Sequence, residues 1–334
     1  MFLDRDRELV QRLQAAGSYQ IRFFGNPGKV IDIRDYEAYL MGDPEGDKRL
    51  AEAAYIFTCV GEENLDNVGA YLDQVLGSAP QKRRVMIAAE NGTRGMELLR
   101  AHVDRGTADI CQCLMLCTTV GEKESLDIWS EDVDTLPYDG GSCGQALPFM
   151  AFSACSDFKT LVRRKIYTYN SISACIAYMG AWKGYEGYGQ AANDPEIREM
   201  TDRLETRLNQ AVCAEYKISE KEQLQFSRMA KAKFRNQEIS DTIFRNARNV
   251  RRKLGAGERV AAPLEMMFRH GVEMEEMALT AAAALLYGQT YEELTAGRGE
   301  SAGELFGRLS GCRVREVISA VNIQYRILIR RTDY

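Results

Sequence analysis

The chain has 334 residues, of which 45% are hydrophobic and 27% charged, and its formal net charge is -5 at pH 7. These values are typical of a globular protein long enough for two domains, and the slight acidic excess excludes a basic nucleic-acid-binding surface. The longest apolar run, 278–287, is about half of a membrane span, and the charged N-terminus has no apolar signal core, so we expect a cytoplasmic protein.

The nine cysteines lie mostly in apolar runs, which indicates reduced thiols. Cys111, Cys113 and Cys117 form a cluster that could ligate a metal. The cluster has no Cys-x2-Cys pair and no nearby histidine. We therefore predict a buried strand here and no metal site.

Strand and helix patterns alternate in the first part of the chain. Residues 54–59 and 85–88 are typical of buried strands, and residues 65–76 and 95–103 are typical of helices. This alternation predicts a parallel, doubly wound sheet of the Rossmann type. Residues 18–24 and 29–33 add a hairpin across the Gly-Asn-Pro-Gly turn.

A short strand at the N-terminus ends in Asp4. An acidic residue at such a strand end can bind the ribose 2′-hydroxyl of NAD, although Asp4 could equally cap the following helix. A dinucleotide-binding domain begins with a strand, a Gly-x-Gly-x2-Gly turn and a helix, and the sequence has no such run between a strand and a helix. We therefore expect that the first strand and its Gly-rich turn are missing and that the reading frame begins upstream.

Residues 138–156 contain glycines and Pro148 and are interpreted as a connection. From residue 157 onward the periodicity is helical, which divides the chain into domains 1–152 and 153–334. The predicted helices of the second domain follow one another closely: 158–180, 194–215, 221–235, 241–254, 261–270, 273–287, 301–309 and 314–331.

The helix 158–180 carries polar residues on the face that should be buried. At about 100° per residue, Lys165, Asn170 and Ser173 share one arc with apolar residues. A buried ammonium is costly and tends to lose its proton, as a lysine general base must. Alternatively, the Lys165 amine reaches solvent along its stem. We expect Arg163 and Arg164 at the surface.

Two ordered blocks resemble those of a known family. Residues 164–170, Arg-Lys-Ile-Tyr-Thr-Tyr-Asn, are similar to the Lys-x4-Asn-x2-His signature of the polyol-specific long-chain dehydrogenases. Residues 249–263 resemble the Arg-Lys-Leu-x3-(Asp/Glu)-Arg-Leu-x2-Pro segment of that family. The resemblance implies a Rossmann-like domain followed by a helical domain similar to that of 6-phosphogluconate dehydrogenase.

The implied reaction is hydride transfer between NAD and a polyol or polyol phosphate. By the resemblance, Lys165 is the general base and Asn170 orients the reacting oxygen. The family strand that ends in Glu-Asn-x2-Arg-Gly lies beside the nicotinamide, which makes Glu90 and Asn91 candidate cofactor contacts.

Cations near the second block would bind a substrate phosphate. Arg252, Lys253 and Arg259 are the candidates, and the alternative is a solvated helix end. The expected partner is a small molecule, with neither nucleic acid nor membrane, and the sequence leaves monomer and homodimer open.

Three residues depart from the family pattern. Ser173 stands where the signature has histidine, and Leu116 and Cys117 stand where a Val-Asp-Arg segment is usual. These departures leave a second hypothesis open, a catalytically impaired relative that binds sugar phosphates or regulates a partner. A 6-phosphogluconate-type dehydrogenase is disfavoured because both blocks fit the polyol family better.

Overall fold

The computed structural model describes residues 1–77, 84–122 and 124–332. They form two compact units, Met1–Val162 and Arg163–Tyr334. The first unit combines strands with helices, and the second consists of helices joined by short loops. The predicted fold class, an α/β domain with parallel strands followed by an all-helical domain, is confirmed. The roles given to the two domains from sequence, with a boundary at 152/153, stay predictions.

The strands of the first unit are short: β1 (Phe2–Asp4), β2 (Tyr19–Phe23), β3 (Asn26–Ile33), β4 (Ala38–Leu40), β5 (Tyr55–Thr58), β6 (Val85–Ala88), β7 (Asp109–Gln112), β8 (Thr119–Gly121), β9 (Ile128–Ser130), β10 (Leu136–Asp139) and β11 (Phe152–Cys155). Its helices are α1 (Arg7–Ala16), α2 (Pro44–Glu52), α3 (Leu65–Gly77) and α4 (Gly95–Arg100), with a 3₁₀ turn at Glu62–Asn64. Helix α2 was not predicted.

A parallel sheet with the order β5-β6-β7 forms the centre of the first unit. All residues of β6 are buried, because helices cover one face and another apolar layer covers the opposite face. Met86 and Ala88 pack in the cluster that holds Leu65 and Leu99, whereas Val85 and Ile87 pack with Cys111 and Tyr138. The apolar run in the sequence is therefore a buried central strand, as predicted.

A second parallel pair, β1-β4, is a separate sheet. Within the described residues no backbone ladder joins it to β5-β6-β7. The predicted hairpin β2-β3 is confirmed as an antiparallel pair, and β9 and β8 extend it to a sheet of order β3-β2-β9-β8.

The interpretation of residues 138–156 as a plain connection was wrong in part. Strands β10 and β11 pair in parallel within this region, with Tyr138 opposite Ala154. The sequence signal was masked because Pro137 and the glycines after Asp139 resemble a loop. The predicted strand 111–117 is also shorter than expected, since β7 ends at Gln112.

The remaining helices begin just before the boundary between the units: α5 (Phe158–Lys165), a π-helical turn (Ile166–Asn170), α6 (Ser171–Trp182), α7 (Tyr188–Asn193), α8 (Pro195–Tyr216), α9 (Glu220–Arg235), α10 (Ile243–Ala247), α11 (Val250–Lys253), α12 (Ala261–Arg269), α13 (Glu275–Tyr291), α14 (Ala302–Ser310) and α15 (Arg315–Thr332). Predicted starts at Asp194 and Ser301 are confirmed as N-caps of α8 and α14.

The predicted helix 241–254 is broken into α10 and α11. Asn249 has a left-handed backbone with φ 65°, which ends the helical path. The Glu292 carboxylate accepts the backbone N–H groups of Asn249 and Val250 and so compensates for the break. Helical periodicity could not reveal this, because Glu292 is distant in sequence.

Helices α6 and α13 form the centre of the second unit. Both are apolar around most of their circumference, and residues such as Cys175, Ala177, Ala281 and Ala284 have no exposed area. Small side chains let the helices approach closely. None of the helices in the described ranges combines the length and the apolar character that a membrane span needs.

Candidate active site

The Lys-x4-Asn block lies at a π-helical turn. Lys165 ends α5, the turn covers Ile166–Asn170, and Ser171 begins α6. In a regular α-helix Asn170 would stand about 140° around the axis from Lys165. A π turn closes over five residues instead of four, so Asn170 is carried back toward the face of Lys165. The predicted helix is confirmed, but the turn that aligns these two residues was not foreseen.

Ser171 holds this turn and links the two blocks. Its side chain is fully buried, and its Oγ lies 3.0 Å from the carbonyl oxygen of Ile166 and 2.8 Å from that of Arg259. The first contact supports a backbone carbonyl within the π turn, and the second ties the turn to the segment that follows α11. The two sequence blocks are thus neighbours in space, and Ser171 was missed because a serine in a helix carries no distinctive signal.

Lys165 is 7% exposed, as the pattern predicted. Asn170 and Ser173 are half-buried. The expectation that Arg163 is at the surface is confirmed, but the same expectation for Arg164 was wrong.

Arg164 is buried because α9 receives it. Its guanidinium donates to Gln223 at 3.1 Å and to Glu222 at 2.7 Å, and it stacks over Phe226 at 4.9 Å. The Gln223 amide also donates to Thr168 Oγ1 at 2.9 Å. Gln223 therefore bridges the end of α5 and the π turn.

Two cations of the second block flank one carboxylate. Arg252 and Arg259 approach Glu258 at 3.6 Å and 3.2 Å. Arg259 is the more buried of the two, and burial lowers the pKa of its guanidinium. Arg252 remains half-exposed, with 48% of its side chain accessible.

Lys253 is buried, with 5% of its surface exposed, and its amine donates to the Asn246 carbonyl. Burial, together with the positive charges of Arg259 and Arg252, lowers the pKa of Lys253 to about 7. The three predicted substrate-binding cations are thus close in space, but each already has a protein partner.

Most of the helical second unit matches a known domain family. Residues 157–298 match the mannitol dehydrogenase C-terminal domain. The resemblance to the polyol dehydrogenase family is confirmed. Mannitol-1-phosphate 5-dehydrogenase from Caldanaerobacter subterraneus subsp. tengcongensis is 22% identical over 307 residues, which is 86% of this chain and 79% of the relative. The protein of that name from Thermoanaerobacter pseudethanolicus is 22% identical over 305 residues, with the same coverage of both chains.

Solved structures of polyol dehydrogenases share the fold. The Pseudomonas fluorescens mannitol 2-dehydrogenase ternary complex with NAD and D-mannitol aligns with a TM-score of 0.76 over 98% of this chain and 84% of that one, at 14% identity. A substrate-free D-sorbitol dehydrogenase aligns with a TM-score of 0.71 over 98% and 85%, also at 14% identity. At this identity the likeness establishes the fold, and the individual site residues stay predictions.

The cofactor candidates of the first unit lie at the carboxyl ends of parallel strands. Asp4 ends β1 and accepts the Asp6 N–H at 2.9 Å, while Asp6 itself caps α1. Asn91 is exposed just after β6. The alternative interpretation of Asp4 as the cap of this helix was therefore wrong. The bond from the Asp6 N–H uses one oxygen of the Asp4 carboxylate, and the contact with NAD stays a prediction.

Glu90 differs from these two candidates. It is 3% exposed, and its two oxygens accept the N–H groups of Val60 at 3.0 Å and Gly61 at 2.9 Å. Burial raises the pKa of Glu90, and these backbone hydrogen bonds oppose the increase. The carboxylate therefore fastens the loop after β5 to the end of β6.

Metal-ligating groups do not cluster: across 1–77, 84–122 and 124–332, no three His, Cys, Asp or Glu side chains are arranged to hold a metal ion. Cys111 and Cys113 are buried free thiols. Burial raises the pKa of Cys113 to about 12, which keeps it protonated and inert.

Proposed function

We propose that this chain is an oxidoreductase that transfers a hydride between a nicotinamide cofactor, NAD, and a polyol or polyol phosphate. The observation that carries the proposal is the burial of Lys165 at a π turn that carries Asn170 toward its face, in a domain that matches the mannitol dehydrogenase C-terminal domain. π turns are rare in proteins as a whole, and those that occur are frequently found at functional sites.

The first unit offers residues that fit a dinucleotide. Ligands of α/β proteins bind at the carboxyl ends of parallel strands, where Asp4 and Asn91 stand. Asp4 would bind the adenosine ribose, and Asn91 would contact the nicotinamide end. The described residues contain no Gly-x-Gly-x2-Gly turn between a strand and a helix, so no pyrophosphate contact is part of the proposal. When bound, the nicotinamide supplies the acceptor for the hydride that leaves the carbinol carbon.

In the second unit, Lys165 handles the proton. During oxidation the hydroxyl proton of the substrate passes to Lys165 Nζ as the carbonyl forms, and in reduction the same nitrogen returns it. The Asn170 amide donates to the reacting oxygen and stabilises the partial negative charge that develops there.

The cations around Glu258 favour a phosphorylated substrate. A phosphate near Arg252, Lys253 and Arg259 would meet guanidinium groups that bind it in bidentate fashion. Because the Lys253 pKa is about 7, the amine gains its charge as pH falls through 7, and anion binding favours the charged form. The preference for a polyol phosphate over the free polyol should therefore increase from pH 8 to pH 6.

The decisive experiment measures turnover of NADH with fructose 6-phosphate, fructose and a panel of other ketoses. Lys165→Ala should lower kcat by about 10³-fold. Lys159→Ala is the matched control, because Lys159 is exposed on the same helix and its loss should leave kcat unchanged. Equal rates for wild type and Lys165→Ala would remove Lys165 from the mechanism. Bound NADH without turnover of any ketose would support a non-catalytic sugar-phosphate binding protein instead.

A further inference from the structure

Ser173 is held by a tyrosine from the next helix. The Tyr188 phenol donates to Ser173 Oγ at 3.0 Å. Tyr188 is 6% exposed. Among the described residues, its hydroxyl forms its hydrogen bond with Ser173. The contact joins α7 to α6, the helix that directly follows the Lys-x4-Asn block.

Tyr188 is fixed in place by its backbone and its ring. Its N–H donates to the Asp241 carbonyl at 2.9 Å, next to the isolated bridge between Gly187 and Thr242. Its ring packs edge-on against Phe234, with the centroids 6.0 Å apart. A donor held in this way fixes the orientation of the hydroxyl that accepts from it.

A serine hydroxyl has one proton and two acceptor lone pairs. Because Tyr188 donates into one lone pair, the Ser173 proton is free to point elsewhere. Asn170 ends the π turn and Ser173 lies three residues later in the first turn of α6, so the two side chains are neighbours on one helical face, and both are half-buried. The Ser173 proton is therefore available on the face that carries Asn170.

We propose that Tyr188 is a positioning residue that orients Ser173 as a hydrogen-bond donor to a polyol hydroxyl beside the reacting carbon. The inference rests on the proposed function and adds one contact to the substrate, which would contribute to specificity. Burial raises the pKa of Tyr188 above its ordinary value, so the phenol keeps its proton at neutral pH. The pair thus binds a hydroxyl without a charge that changes between pH 6 and pH 9.

Steady-state kinetics of the full chain test the inference. Ser173→Ala and Tyr188→Phe should each raise KM for the substrate about 10-fold with kcat within about 2-fold, because the contact is to a non-reacting hydroxyl. The double variant should be no worse than Ser173→Ala, because Tyr188 acts through Ser173. The KM ratio of Tyr188→Phe to wild type should stay constant from pH 6 to pH 9.

Tyr185→Phe is the matched control, since Tyr185 lies three residues before Tyr188 and its phenol donates a partly buried hydrogen bond to Asp194 at 2.9 Å. It should lower the melting temperature without raising KM. Multiplicative KM effects of Ser173→Ala and Tyr188→Phe, or a Tyr188→Phe variant that changes only the melting temperature, would overturn the inference.

A readout independent of turnover separates this inference from the proposed function. In protein with ¹³C-labelled tyrosine, the Tyr188 hydroxyl proton should give a slowly exchanging NMR signal that is absent in Tyr188→Phe and shifted in Ser173→Ala. Turnover without that signal would overturn the inference alone. The signal without turnover or binding of any polyol or ketose would overturn the proposed function and, with it, the substrate contact.

Discussion

Two buried charged side chains, one in each unit, are used in opposite ways. In the first, Glu90 is 3% exposed and both oxygens accept backbone N–H groups. In the second, Lys253 is 5% exposed and its amine has one carbonyl acceptor, with the charges of Arg252 and Arg259 close by. A buried carboxylate with satisfied oxygens stabilises a loop. A buried amine next to like charges can bind an anion.

The π turn offers the sharpest way to test whether the second unit is the functional one. Ser171→Ala removes the single buried hydroxyl proton that the carbonyls of Ile166 and Arg259 share. We expect kcat/KM to fall about 10²-fold because Lys165 and Asn170 lose their alignment. The free energy of unfolding should fall by about 1–3 kcal/mol.

Ser310→Ala is the control for this variant, because Ser310 is also buried and donates to a helix carbonyl, that of Phe306 at 2.7 Å. It should lower stability without lowering kcat/KM. If both variants lose activity in proportion to their stability, the π turn has no specific role.

Glu90→Gln tests the structural role in the first unit. The amide NH₂ would face one of the two backbone donors, so we expect a loss of about 2 kcal/mol in stability and faster hydrogen exchange at the amides of Val60 and Gly61. Glu97→Gln, on the exposed surface of α4, should change neither quantity. Unchanged hydrogen exchange in Glu90→Gln would contradict the structural role of Glu90 and would favour its predicted contact with the cofactor.

Lys253→Met tests the cost of burying the Lys253 amine in the second unit. The Lys253 pKa is about 7 in the folded protein and 10.5 in the unfolded one, so between these values the unfolded state binds more protons and stability rises with pH. The wild type should gain about 2 kcal/mol over Lys253→Met from pH 7 to pH 9, measured by urea unfolding. An equal pH dependence of the two proteins would contradict a buried, neutral Lys253. Exposed Lys159→Met should show no such gain.

The helix caps give the smallest effects. Asp194 caps α8 and binds Lys183 at 2.9 Å, and although burial raises its pKa, the hydrogen bonds from Lys183, Ile197 and Tyr185 lower it to about 2. Because the folded pKa is below the unfolded value of 3.8, this stability is present above pH 4 and is lost as pH falls toward 2.

Asp194→Ala should therefore cost about 1–2 kcal/mol at pH 6, and Asp6→Ala, at the more exposed cap of α1, about 0.5–1 kcal/mol. Thermal melts at pH 6 and pH 3 measure both. A larger loss of stability in Asp6→Ala than in Asp194→Ala would contradict the expectation that the cap in the second unit contributes more.

The sequence by itself determined the class of fold, the buried β6, most helices of the second unit and the helix face on which Lys165 lies, because apolar periodicity records which face meets a core. It also identified both family blocks. It did not determine the break at Asn249, the burial of Arg164 or the parallel pair β10-β11, since each depends on a partner distant in the chain.

Only the tertiary structure decided how the buried polar groups are used. Ser171 joins the two blocks through the Arg259 carbonyl, and Tyr188 reaches Ser173 from another helix. Glu90 looked like a ligand contact in sequence, yet its oxygens are taken up by the backbone of Val60 and Gly61. Hydrogen bonds have direction and reach only about 3 Å, so their partners follow from packing in space and not from residue spacing.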